Sequence, residues 1–260
     1  MSAENIVYKA DLQRVGSLIN ESLVVLTEYD KIKDWQKVRE KVISQNLLNK
    51  QSSQTIQGIL AAIHKRFFGD HKFLPPAELL AKAITKNIPR NAKIQLLYPY
   101  ICESDYLVKN MVSNFVANKI NQSQPILTKN DVLEFLEKEK KTHPELQKWS
   151  DYLKGRWTRG FLAFLRDFNI MEKAPSNRLI KPPLRIETFT FFMLGLLDKK
   201  LNIKEILNNE IWHLYFLKNA EIENFLVEAQ ARGWIYYSRA GEIIELRPKY
   251  NLEGWLNGLE

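Results

Sequence analysis

Arg156, Arg159 and Arg166 fall within one stretch, SDYLKGRWTRGFLAFLRDF, among bulky aromatic residues. A guanidinium is always charged and carries five donors in a planar fork, a geometry suited to gripping carboxylate or phosphate oxygens. On a helix, Leu153, Trp157, Phe161, Phe164, Leu165 and Phe168 gather on one side as a core face. Arg159 and Arg166 lie nearly opposite, flanked by Tyr152, Arg156 and Ala163, with Gly155 near the same surface, where it would let a phosphate backbone come close. Such a helix has one face to anchor it and another from which arginine reaches phosphates or guanine edges. Lys154 lies in the same helix, and Lys173, Arg178 and Lys181 follow it in an extended segment. Residues 150–182 hold seven basic groups against three acidic ones, which favours an anionic partner over a merely solvated helix back. Tyr152, Lys154, Arg156, Arg159, Arg166, Lys173, Arg178 and Lys181 are therefore the candidate DNA-binding set.

The search for other chemistry finds nothing to match. No G-x-x-x-x-G-K-[ST], G-x-G-x-x-G or G-x-S-x-G motif occurs, and the ten glycines form no phosphate cradle. His64, His71, His143 and His213 lack ligand spacing, and the single cysteine, Cys102, excludes an intramolecular disulfide and a multi-cysteine metal site. Acidic pairs such as Glu137 and Glu139 sit in charge-rich surroundings without the convergence that a metal-dependent nuclease needs. The expectation is a protein that is not an enzyme, with no cofactor and no metal.

The elements that must position the arginines are mostly helical. Three- to four-residue periodicity runs through RVGSLINESLVVLTEY, DWQKVREKVIS and SQTIQGILAAIHKRF, the last with Ser53 as its cap. The pair spanning 34–67 has the layout of a helix-turn-helix or of plain bundle packing, and Lys50, Lys65 and Arg66 within it form a secondary DNA-binding set. Pro75, Pro76, Pro89 and Pro99 are expected to break the following stretch into short helices. YLVKNMVSNFVANKI is a core helix, and the polar NQSQPILTKND after it marks a domain boundary. Thr128 or Asn130 caps the next helix, Pro144 opens a short one, and Ser150 caps the helix that carries the arginines.

One layout occurs twice: FLAFLRDFNIM (161–171) can be laid over FLVEAQARGWI (225–235). Asn169 and Gly233, both tolerant of the left-handed conformation, sit at the helix C-cap in each, and both segments then turn extended. Helix, cap, strand, turn, strand is the second half of a winged helix. The expected fold is thus mainly α: a helical domain over 1–127, a winged-helix-like DNA-binding unit over 128–183, and a C-terminal helical, winged-helix-like unit over 184–260, with small β-hairpins.

Charge divides along the same lines. Residues 1–127 hold 17 basic and 11 acidic groups, 128–182 hold 12 and 8, and 183–260 hold 9 and 11, within a net charge of +8. Glu221, Glu223 and Glu228 occupy the second helix where arginines occupy the first, so the C-terminal unit is expected to be structural or to bind protein, with Arg239, Arg247 and Lys249 as peripheral cations. IETFTFFMLGLL is shorter than the roughly 20 residues needed to span a bilayer and reads as a buried helix. With no apolar run of signal-peptide length near the start and one cysteine, a cytoplasmic protein without membrane association is expected.

The order of YKADLQRVGSLINES, SSQTIQGILAAIHKRF, NMVSNFVANKI and PELQKWSDYLKGRWTRGFLAFLRDFNIM resembles the BrxA family of bacteriophage-exclusion (BREX) defence systems, over roughly residues 8–200. The resemblance implies a small, mainly helical, non-enzymatic protein that binds double-stranded DNA and works beside a methyltransferase, an ATPase and other BREX components. It also implies partial similarity to the helical antitermination factor NusB, which keeps RNA open as a ligand and transcription regulation as a role. It carries no catalytic residues over, and residues 201–260 resemble the family least. The main alternative is a helical scaffold whose basic faces meet acidic surfaces of partner proteins.

Overall fold

A computed structural model describes residues 7–259 of the chain. Over these the fold is mainly α, with one small β-hairpin near the C-terminal end. The helices of the first hundred residues are α1 (Asp11–Val15), α2 (Ile19–Ile32), α3 (Trp35–Ser44), α4 (Ser53–Phe67), α5 (Ala77–Thr85) and α6 (Arg90–Ser104). Then come α7 (Tyr106–Asn110), a π-helical turn over Met111–Val116, α8 (Ala117–Ile120), α9 (Lys129–Glu139), a 3-10 turn over Pro144–Lys148 and α10 (Asp151–Asp167). The remainder is α11 (Ile186–Asp198), α12 (Ile203–Leu207), α13 (Glu210–Leu214), α14 (Asn219–Ala231), strands β1 (Ile235–Ala240) and β2 (Ile243–Pro248), and α15 (Leu252–Asn257).

Contacts gather the chain into two compact units that do not follow chain order. Among the described residues, one holds 7–17 together with Ile101–Pro182, and the other holds Leu18–Tyr100 together with 183–259. The boundary expected after residue 127 lies inside the first unit, for a plain hydrogen-bonding reason. The Leu127 N–H donates to the Asn177 carbonyl at 2.9 Å, and the Leu179 N–H donates to the Pro125 carbonyl at 2.6 Å. The supposed linker is an extended segment with its backbone donors already committed.

In the first unit, Thr128 caps α9 in a capping box with Asp131, and Ser150 caps α10 by accepting from the Leu153 N–H. The core face of α10 carries a run of rings, with Trp157 and Phe161 stacked at 5.2 Å between centroids and Phe164 and Phe168 tilted against each other at 5.0 Å. Leu153, expected in that core, is only half-buried. α10 ends where Asn169 takes φ 56°, the left-handed conformation expected there. The chain then returns: Ile170 accepts from the Ile180 N–H, and the Glu172 N–H donates to Arg178. Only isolated antiparallel bridges form, Met171 with Leu179 and Ile126 with Arg178, in place of the full hairpin expected.

In the second unit, α3 and α4 pack through Val38, Val42, Ile56, Ile59, Leu60 and Ile63, with Ser52 rather than Ser53 as the cap of α4. Residues 186–196 of α11 are all buried, as expected of so apolar a segment. β1 and β2 pair antiparallel from Ile235 opposite Pro248 to Ala240 opposite Ile243. Pro99 does not break the chain; it sits inside α6. Proline removes the donor that would have served the Gln95 carbonyl four residues earlier. The Tyr215 hydroxyl donates to that carbonyl at 2.8 Å and satisfies it from another part of the unit.

Candidate nucleic-acid interface

The eight candidate residues separate by what holds them. Tyr152 is 72% exposed, and Arg156 and Arg159 are exposed beside it, the Arg156 guanidinium 5.8 Å from the centre of the Tyr152 ring. Neither arginine has a carboxylate partner among the described residues. Gly155 leaves the surface beside them open, since an added Cβ there would meet only the Arg159 guanidinium at 3.8 Å. Lys173, Arg178 and Lys181 are exposed on and after the turn.

Lys154 and Arg166 are placed otherwise. Lys154 lies on the buried side of α10, its ammonium 2.8 Å from Glu137 of α9 and 3.4 Å from Asp151. Hydrogen bonding to Glu137 pushes its pKa up to about 12, and bonds from Lys140 and Lys154 hold Glu137 below the usual carboxylate range. A long aliphatic stem lets a lysine start from a buried position and still bring its ammonium to a carboxylate. Arg166 is half-buried and donates through Nη2 to the Ser176 carbonyl and to Asn177 Oδ1, both at 3.1 Å. It braces the turn that carries Lys173 and Arg178.

The secondary set lies in the other unit. Lys50 is paired with Glu21 at 2.7 Å, Arg66 is 5% exposed, and Lys65 alone of the three is exposed. Burial of Arg66 follows from its place on the face of α4 that also carries Ile59 and Ile63.

A neighbour of the interface was not legible in α10 itself. α1 crosses α10 at Gly160, where an added Cβ would lie 3.3 Å from the Gln13 Cα, so a side chain there would have to push α1 back by a few tenths of an ångström. The segment before α1 is clasped by Tyr8, whose N–H donates to Glu145 at 2.6 Å and whose hydroxyl donates to Glu139 at 2.8 Å. Its ring stacks on His143 at 3.6 Å, and burial together with the Glu139 carboxylate raises the phenol pKa well above its ordinary value. Arg14, exposed on α1, thereby belongs to the same unit as the α10 arginines. A glycine in mid-helix, where alanine is the better helix former, was the one available signal.

Comparison with known proteins bears on what this surface serves. The family model for BrxA matches residues 6–194. The chain belongs to the BrxA family. BrxA membership makes it a component of a BREX defence system, in a family considered non-catalytic. The match covers α1 and α10 and stops before α14 and the hairpin. A crystal structure of an uncharacterized protein from Magnetospirillum magneticum is similar over 82% of this chain and 100% of that one, with a TM-score of 0.62 at 15% identity, which is likeness of fold. No curated protein matches the sequence. Among the described residues no group of three or more His, Cys, Asp or Glu side chains is placed to hold a metal ion, and no helix is long and apolar enough to cross a membrane.

Proposed function

We propose that this BrxA protein binds double-stranded DNA through the outer face of α10 and the turn after it, as a non-enzymatic accessory of the defence system beside its methyltransferase and ATPase. The observation that carries this reading is that Arg156 and Arg159 are exposed without a carboxylate partner among the described residues, while Lys154 on the same helix is tied down. An unpaired arginine retains its full charge for phosphate, and an adjacent tyrosine restricts the side chain beforehand. Tyr152, Lys173, Arg178 and Lys181 extend the contact, and Arg14 adds to it from α1. Lys154 and Arg166 act as positioning residues.

A winged-helix reading of the first unit fits the order of its parts. A helical segment from α7 to α8 is followed by extended 125–127, then α9, α10, extended 170–172, a turn and extended 177–180, with the first extended piece bonded beside the last. In that reading α10 enters the major groove and residues 173–178 form the wing. DNA is favoured over RNA because the major groove of A-form RNA is too deep and narrow for a helix to read.

The test is fluorescence anisotropy with a labelled random-sequence duplex over a salt series, for wild type and Arg156→Ala/Arg159→Ala, with circular dichroism on both. Phosphate contact predicts that log affinity falls with log salt at roughly 0.9 per neutralised phosphate, and that the variant loses both affinity and slope. Identical curves for the two proteins would overturn the reading. A protein contact is favoured for the second hairpin and the bend after it, where Tyr236, Ile243 and Tyr250 are exposed at 47%, 75% and 55%.

A further inference from the structure

The second unit carries a basic cup of its own, lined by residues outside both candidate DNA-binding sets. Its wall is made by Lys33 just past the end of α2, Lys82 and Lys86 at the end of α5, and Lys93 in the opening turns of α6, around a volume of about 720 Å³. Asp30, Thr85 and Asn87 complete the lining, which thus holds four lysines and one carboxylate. That carboxylate is already engaged, pairing with Lys33 and accepting from the Thr85 hydroxyl at 2.8 Å. Lys82 reaches Glu253 at 3.1 Å. Lys86 and Lys93 are half-buried and have no carboxylate partner among the described residues.

Lysines at the ends of α2 and α5 have an ordinary explanation, since a helix C-terminus favours cations. Lys93 does not share it. It follows closely on the positive end of α6, which has no acidic residue in its first turn and begins with Arg90. Cations there oppose the helix dipole, and a bound anion would satisfy both. Burial alone pulls the Lys93 pKa down, with no carboxylate to restore it. The cup has no aromatic or aliphatic side chain among its lining residues, so it offers neither a stacking platform for a base nor an anchor for a protein side chain.

We propose that this lysine cup is a second phosphate-binding surface, used for the backbone of the nucleic acid that the protein binds. The inference rests on the DNA-binding reading, and it makes the protein bivalent for DNA, with one contact on each unit. The contact is sequence-independent, because backbone phosphates carry no base information.

The experiment compares salt slopes of duplex binding for wild type, Lys86→Gln/Lys93→Gln, Arg156→Ala/Arg159→Ala, and a control, Lys31→Gln/Lys37→Gln, that removes two exposed lysines elsewhere in the same unit. The cup variant is expected to lose roughly 0.9 of slope for each phosphate contact removed, with the control near wild type. Lys86→Arg/Lys93→Arg, which keeps the charge, is expected to retain the wild-type slope and also guards against misfolding as the cause. Wild-type behaviour of the cup variant, or an equal loss in the control, overturns the inference. If only the α10 variant loses slope, the helix reading stands and the cup does not; if only the cup variant does, the reverse holds. Calorimetry with inorganic phosphate separates the remaining case: heat that the cup variant loses while its duplex slope is unchanged assigns the cup to a small anion and overturns the nucleic-acid assignment.

Discussion

α10 with the turn after it, and α14 with β1 and β2, share a sequence layout and differ in what their cations touch. Arg156 and Arg159 in the first have no carboxylate partner among the described residues. In the second, Arg232 pairs with Glu228 at 2.8 Å, Arg247 with Glu245 at 2.6 Å, and Arg239 with Glu223. The cations there are neutralised within their own region, Arg239 by a carboxylate of the helix it packs beside, whereas two arginines of α10 are left without such a partner among the described residues. The lesson is that basic groups cannot simply be counted toward an anion site. Lys154 and Arg166 raise the count in the first region, yet one serves Glu137 and the other holds the turn.

The largest expected effect comes from exchanging the two regions as targets. Arg156→Ala/Arg159→Ala is expected to weaken duplex binding tenfold or more, since hydrogen bonds to charged groups contribute about 1.5–3 kcal/mol each. Arg239→Ala/Arg247→Ala should change it little, and equal losses in the two variants would erase the distinction.

Next in size is Glu137→Gln, which strips Lys154 of its nearer partner. Glu137 is half-exposed and Asp151 remains, so a cost of about 1 kcal/mol is expected in urea unfolding at neutral pH. The folded Glu137 pKa lies below its unfolded value, so the wild-type pair contributes stability above the unfolded pKa and loses it as pH falls through the folded one. The variant should show no such acid-side loss from this site, and its stability difference from wild type should shrink toward zero in acid.

An effect of comparable size tests the two caps. Gly233 has φ 76° and room for a methyl group, the nearest atom to an added Cβ being the Lys249 ammonium at 3.8 Å. Gly233→Ala should therefore cost about 1 kcal/mol through backbone strain alone. Asn169→Gly, which relieves the strain of φ 56° while adding unfolded-state freedom, should stay within about 0.5 kcal/mol of wild type. A large loss for Asn169→Gly would show that its side chain, and not its backbone, closes α10.

The smallest effect sharpens the comparison from the other side. Glu223→Gln frees Arg239, and duplex affinity at low salt should rise a few-fold; no rise would mean that pairing is not what silences the second hairpin.

Much of this was legible in one dimension because it depends on residues close along the chain. The amphipathic stripe of α10, its Ser150 cap, the left-handed Asn169 and Gly233, the second hairpin and the buried α11 all follow from local periodicity and backbone preference. Segment order was likewise enough for the resemblance that the match over residues 6–194 established. The first hairpin was overstated: bonding of 177–179 to 125–127 leaves it a pair of bridges rather than a ladder.

What only the tertiary structure decided is which parts meet and which charges are consumed in meeting. Periodicity says that a face is buried, not what buries it, so α1 lying against Gly160 and Tyr8 clasped by Glu139 and Glu145 were hidden by more than a hundred intervening residues. Pro99 inside α6 depends on a hydroxyl at Tyr215. Lys154, Arg166 and Arg66 look like any other cation in the sequence, because the side chain's length lets it go either way and the position of a partner settles which. The four lysines of the cup lie in or just past three different helices, and the chain alone does not announce that these line one hollow.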